Sequence, residues 1–237
     1  MSRISKKLVW LATILIFSGC GSNNGWGDRS SSDDLAVVAV PETATIDDQI
    51  KELQSGVRNE FQVTSSLTAK QIAQLKRSAE KINKVEASEF SDIRSLLPAL
   101  SNLQSLKIDG PVSDADFEQI YQIASLQWLN LPEGDLSNKG LSGVRNLKNL
   151  VSLRFGSKRV TDKGLTALKS LSSLRFLHLL AVPITDKSLP VIAKLKKLES
   201  FYLDGGKATE DGLVKFSKSR PDVHFHKDQL HLDGTGH

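Results

Sequence analysis

Hydrophobic and polar positions in the second half of the chain recur with a period of 24 residues. The pairs Ser113-Asp114, Ser137-Asn138, Thr161-Asp162, Thr185-Asp186 and Thr209-Glu210 each stand 24 apart. An apolar residue precedes each pair: Val112, Leu136, Val160, Ile184 and Ala208. Four positions after the hydroxyl residue come Phe117, Leu141, Leu165, Leu189 and Leu213, and seven after come Ile120, Val144, Leu168, Ile192 and Phe216. A hydroxyl oxygen at a helix start accepts from free N–H groups of the first turn. An acid beside it suits the positive end of the helix. Apolar residues at steps of three and four then give one buried helix face. The other half of each unit reads Leu103-x-x-Leu106-x-Ile108, repeated as Leu126/Leu129/Leu131, Leu150/Leu153/Phe155, Leu174/Leu177/Leu179 and Leu198/Phe201/Leu203. Its last two apolar positions alternate with polar ones, the mark of a strand with one buried face. Each unit is thus a strand followed by a short helix.

Upstream, the pattern predicts two helices. Thr45 opens one, with Ile46, Ile50, Leu53 and Val57 at near-helical spacing. Thr68 to Gln71 has capping-box form, and Ile72, Leu75, Ala79 and Ile82 make the second apolar face. A solenoid needs its exposed end rungs covered, so this segment reads as a cap, with a small separate domain as the alternative. At the other end, Pro221 to His226 predicts a further strand, in which either Val223 or Phe225 takes the place of Phe201.

The first twenty residues have a different character. A basic start is followed by the ten-residue apolar run Leu8 to Phe17 and then Ser18-Gly19-Cys20, the layout of a signal peptide. A membrane-spanning helix needs about 20 apolar residues, so the run is too short to span. Phe17 to Cys20 resembles the bacterial lipobox, with Phe17 in place of the usual Leu, Val or Ile. That resemblance implies lipidation of Cys20, the one cysteine of the chain. The Gly, Ser, Asn and Asp tract from Gly21 to Asp34 reads as a flexible spacer.

Composition changes this picture little. The net charge of +4 falls to near neutrality once Arg3, Lys6 and Lys7 are set aside, since 28 basic residues then face 27 acidic ones. No basic stripe calls for nucleic acid. Aliphatic residues dominate the apolar fraction, which predicts a core of Leu, Ile and Val. Phosphate-loop, nucleophile-elbow and metalloprotease motifs are absent, so no enzyme is expected. His224, His226, His231 and His237 lie late in the chain; His224-x-His226 on a strand would put two imidazoles on one face, with Asp222 or Asp228 as candidate oxygen ligands, but the spacing matches no established metal motif and the stretch from His226 reads as a polar tail. No cofactor or metal is expected.

The LxxLxL strands followed by V-T-D-x-G-L resemble the leucine-rich-repeat (LRR) family, in the longer form with a helix on the convex side. The resemblance covers about residues 100–225 and implies an α/β fold: a short solenoid with a parallel concave sheet, convex helices and an N-terminal helical cap. The chain departs from the commonest pattern in lacking an Asn ladder after the strand, where Asp109, Pro132, Gly156, Leu180 and Asp204 stand instead. Gly140, Gly164 and Gly212, poor helix residues near helix starts, imply close approach of neighbouring rungs. The expected organisation is a signal peptide (1–19), a lipidated tether (20–44), a helical cap region (45–99), five repeats with a terminal strand (100–226) and a tail (227–237).

In such a solenoid the side chains between buried leucines line the concave face. One column reads Lys107, Asn130, Arg154, His178 and Tyr202, with His224 as its candidate continuation; the next reads Ser105, Trp128, Ser152, Phe176 and Ser200. Clustered aromatics and Arg have the composition of a binding hot spot. The expected site is therefore Lys107, Trp128, Asn130, Arg154, Phe176, His178 and Tyr202. The expected function is a lipid-anchored, exported binding module at the cell or outer membrane, recognising a protein or an envelope polymer. The alternative is a structural spacer.

Overall fold

A computed structural model describes residues 44–228 and 230–231. The signal peptide, Cys20, almost all of the tether and the last six residues lie outside the described residues. Among those described, nine strands form one sheet in chain order. They are β1 (Glu60–Val63), β2 (Lys84–Ala87), β3 (Ser105–Ile108), β4 (Trp128–Leu131), β5 (Ser152–Gly156), β6 (Phe176–Leu180), β7 (Ser200–Asp204), β8 (His224–Lys227) and β9 (Leu230–His231). The first eight run parallel, and β9 returns antiparallel to β8. Short helices fill the returns: α1 (Ile46–Ser55), α2 (Ala69–Arg77), α3 (Phe90–Ile93), α4 (Asp114–Ile120), α5 (Asn138–Leu141), α6 (Asp162–Leu165), α7 (Leu189–Ala193) and α8 (Glu210–Ser219). α5 and α6 pass directly into the 3-10 turns Ser142–Asn146 and Thr166–Ser170.

The repeats hold β3 to β7, each with the helix that follows it. The region read as a helical cap holds more. α1 stands in front of the sheet and Thr45 caps it. Behind it the segment carries β1 and β2, two further rungs that the sequence reading missed. Ile82, assigned there to a helix face, instead leads into β2.

α1 also closes the sheet edge. Gln62 points its backbone N–H and C=O away from β2, on the side where the described residues hold no further strand. The buried Gln49 side chain accepts from that N–H at 2.8 Å and donates to that C=O at 3.1 Å. One side-chain amide thereby replaces a missing strand for one residue, which blunts an edge otherwise open to pairing. At the far end, Arg220 donates to the carbonyls of Ala193, Leu195 and Leu198, while Asp222 holds its guanidinium.

The core is one continuous apolar column between strands and helices. Leu, Ile and Val dominate it, but Phe61, Phe117, Phe155 and Phe201 are also fully buried, so it is not purely aliphatic. The turn after each strand is tied to its neighbour by backbone bonds, among them Gly110 N–H to Ser88 C=O, Asp135 N–H to Val112 C=O and Lys207 N–H to Ile184 C=O.

A side-chain ladder runs along the helix starts. Asp114 accepts from the N–H and hydroxyl of Ser137 at 2.8 and 2.6 Å. Asn138 accepts from the N–H of Thr161 and donates to its hydroxyl. Asp162 accepts from the N–H and hydroxyl of Thr185, and Asp186 from those of Thr209. The acid or amide after each cap residue from Ser113 to Thr185 therefore binds the cap of the next rung rather than only favouring its own helix. This explains the glycines. A Cβ on Gly140 would lie 1.8 Å from Asp114 Oδ1, and Gly164 and Gly212 face Asn138 and Asp186 in the same way. At the equivalent position Ser188 is tolerated because its hydroxyl donates to Asp162 at 2.5 Å.

Candidate binding face

Strand register fixes the concave columns. Glu60, Lys84, Ser105, Trp128, Ser152, Phe176, Ser200 and His224 stand in one; Gln62, Glu86, Lys107, Asn130, Arg154, His178, Tyr202 and His226 stand in the other. Phe225 pairs with Phe201, which settles the register of the last strand. His224 therefore does not follow Tyr202, as one expectation had it; His226 does.

The sequence-predicted residues meet in part. Arg154 donates from Nη1 to Asn130 Oδ1 at 3.0 Å and from Nε to His178 Nδ1 at 3.2 Å. His178 Nδ1 is therefore the acceptor, so Nε2 carries the proton and donates to Asp204 Oδ2 at 2.8 Å. The Tyr202 ring lies 5.5 Å from the His178 ring and stacks on His226 at 4.7 Å. Asn130, Arg154, His178 and Tyr202 thus form one contiguous strip over four rungs. Trp128 and Phe176 flank it from the other column, with Ser152 between them, about 9–10 Å apart by two strand spacings. Trp128 is 43% exposed, and Phe176 is half-buried beside the Arg175 guanidinium. Lys107 stands apart from this strip, paired with Asp109 at 3.0 Å.

Burial works against the charge on Arg154, and the carboxylates of Asp204 and Asp109 oppose that effect. An arginine stays protonated regardless. Burial likewise lowers the His178 pKa; Asp204 opposes this, and Arg154 adds to it. Both ring nitrogens of His178 are occupied by protein partners. The imidazole is thus a strut holding Arg154 and Asp204 in place, without a free nitrogen for acid or base chemistry. Asp204, which completes the strip, was passed over in the sequence because it lies one position beyond the alternating stretch. His226 was passed over because its register was open.

Stacked parallel strands, short convex helices and the LxxLxL core define a leucine-rich-repeat solenoid. No protein-family model matches the chain, and no curated protein does. Among solved structures it is similar to an internalin (InlF) of Listeria monocytogenes, with a TM-score of 0.55 at 20% identity over 72% of this chain and 48% of that one. It is also similar to an internalin C2 of Listeria monocytogenes, with a TM-score of 0.49 at 23% identity over 65% of this chain and 64% of that one. A third likeness is to an LRR protein of Leptospira interrogans, with a TM-score of 0.44 at 18% identity over 69% of this chain and 48% of that one. At such identities the shared feature is the fold. The chain spans about half the length of the first of these structures. No helix among the described residues is long and apolar enough to cross a membrane.

Proposed function

We propose that this chain is a binding module that grips a protein partner on its concave face, and that it is exported and held at the cell or outer membrane by lipid on Cys20. One observation carries the binding reading. Asn130, Arg154, His178 and Tyr202 are already linked into a strip, flanked by Trp128 and Phe176 on one side of the sheet. Side chains ordered before contact lose less entropy when a partner docks. Tryptophan, tyrosine and arginine are the residues that most often dominate such contacts. Lys107, paired with Asp109 outside the strip, belongs to the rim.

The test is envelope cross-linking of the full chain beside a Trp128→Ala/Arg154→Glu double variant, with circular dichroism to show that both fold. The expected result is a partner bound by the wild type and weakened at least tenfold in the variant, about 1.4 kcal/mol or more. Equal capture by both would remove this face from consideration. If nothing protein is captured, an envelope polymer or a spacer role takes its place. The anchor is tested separately: Cys20→Ser is expected to move the protein from the membrane fraction to the soluble one.

A further inference from the structure

The near-neutral balance of the chain conceals a segregation of charge. Residues 44–137 hold 9 basic residues against 14 acidic ones, whereas residues 138–220 hold 17 against 6. The two stretches also treat their cations differently. In the first, Lys51, Arg58, Lys84, Arg94 and Lys107 all end in ion pairs. In the second, five exposed cations on the convex side are in no ion pair among the described residues. Lys139, Lys163 and Lys187 are the second residues of three successive helical turns, 24 apart. Arg145 and Lys169 repeat at the same interval in the 3-10 turns after α5 and α6. The convex side changes sign just before this row, since α4 carries Asp114, Asp116 and Glu118.

The ladder makes no use of these cations. Asp162 and Asp186, the acids beside Lys163 and Lys187, are bonded to Thr185 and Thr209, and Asp162 feels Lys187 through space without an ion pair. Like charges at one position of adjacent rungs repel, and an opposing layer of negative charge relieves that repulsion. An evenly spaced row suits a surface of repeated charges better than one small anion.

We propose that the convex side of residues 138–187 docks on an anionic phospholipid surface. The inference rests on the reading of the chain as membrane-held: a protein anchored through Cys20 meets lipid headgroups before any other polyanion, and a basic patch is a common second signal beside a lipid. Docked in this way, the concave face with Trp128 and Arg154 points away from the bilayer, open to a partner.

The experiment uses the full chain with Cys20→Ser, so that no attached lipid contributes. It is mixed with vesicles of phosphatidylcholine alone or with about one-third phosphatidylglycerol. Amine labelling is then read lysine by lysine in mass spectra. Whatever hold the first twenty residues provide, only docking of this side shields these lysines. On the anionic vesicles in about 0.1 M salt, labelling of Lys139, Lys163 and Lys187 should slow at least tenfold, and it should recover in about 1 M salt, which screens surface charge. Lys70 and Lys76, exposed on α2, should keep their rates. In a Lys139→Ala/Lys163→Ala/Lys187→Ala variant, the lipid needed to shield Lys169 should rise about a hundredfold, at about fivefold per lysine. Equal labelling on both vesicles overturns the proposal. Equal slowing of Lys70 and Lys76 overturns the assignment to this side. Shielding by duplex DNA or polyglutamate but not by vesicles gives the row to another anion and overturns the lipid surface. Failure of the anchor itself is read separately, by the Cys20→Ser fractionation.

Discussion

The front and back rungs of this solenoid solve the same problem in different ways. In front, three of the four helix starts cap themselves: Thr45 accepts from the Asp48 N–H, Thr68 forms a capping box with Gln71, and Ser113 forms one with Asp116, while Glu89 before α3 makes no side-chain cap. Behind, Ser137, Thr185 and Thr209 still accept from their own first turns, but every cap residue from Ser137 to Thr209 is also held from the rung before it, through Asp114, Asn138, Asp162 and Asp186. The residue three beyond the cap records the choice. It is Asp48, Gln71 and Asp116 in front, and Gly140, Gly164, Ser188 and Gly212 behind. Strand spacing follows. Successive strands lie 24, 21 and 23 residues apart up to β4, and 24 apart at every later step. A bond between rungs constrains their length; a bond within a rung leaves it free to drift.

Substitutions that convert one kind of rung into the other test this difference. The largest effect is expected for Gly140→Ala, whose new methyl would strike Asp114 Oδ1 and dislodge it from Ser137. Overpacking together with a lost partner for a backbone N–H should cost about 3 kcal/mol in urea unfolding. Adding Asp114→Ala to that variant removes the clash, so the double variant should be less destabilised than the two single costs combined.

Asp162→Ala comes next. It removes the acceptor for the Thr185 N–H and for the hydroxyls of Thr185 and Ser188, and about 2 kcal/mol should be lost. Asp116→Ala breaks only a local capping box and the Arg94 contact, and should cost about 1 kcal/mol. Equal costs for the two would erase the distinction between front and back.

The smallest effect at neutral pH is expected for Asp162→Asn, because Asn138 already makes the same pair of bonds to Thr161. Acid separates the two residues. Burial raises the Asp162 pKa, but the bonds from Ser188 and Thr185 outweigh it and hold the carboxyl below its ordinary value; Thr209 lowers Asp186 likewise. A carboxyl lowered in the folded state contributes stability that is present above its unfolded pKa of about 3.9 and lost as pH falls further. Urea midpoints measured from pH 7 to 3 should therefore decline less steeply below pH 4 in Asp162→Asn than in wild type.

The sequence disclosed the back rungs because their ladder repeats the same residue types at a fixed interval. It concealed β1 and β2 because Val85 with Ala87, and Phe61 with Val63, stand where β3 to β7 have at least one leucine, and the interval from β2 to β3 is 21 rather than 24. The glycines pointed to close approach, as found, while the group they accommodate was visible only once Asp114 and Gly140 were seen in contact. On the concave face the columns were legible from alternation alone. Which members touch was not: Arg154 bonds both neighbours in its column, whereas Lys107 turns to Asp109. Such choices depend on side-chain reach and on a residue, Asp204, beyond the repeat motif.

The ladder also has a direction, and this bears on how such a chain grows over generations. Each back rung offers an acceptor forward and a matching vacancy backward, so a tandem duplication of residues 138–161 would arrive already compatible with both neighbours. A duplicated front rung would not, because Asp116 fills the space where a preceding acceptor must enter. Lengthening by copying is thus open in the interior and closed at the first described rung, where Gln49 holds both backbone groups of Gln62. Lineages carrying this architecture are expected to vary in the number of 24-residue units between Ser113 and Thr209, and to keep their front rungs.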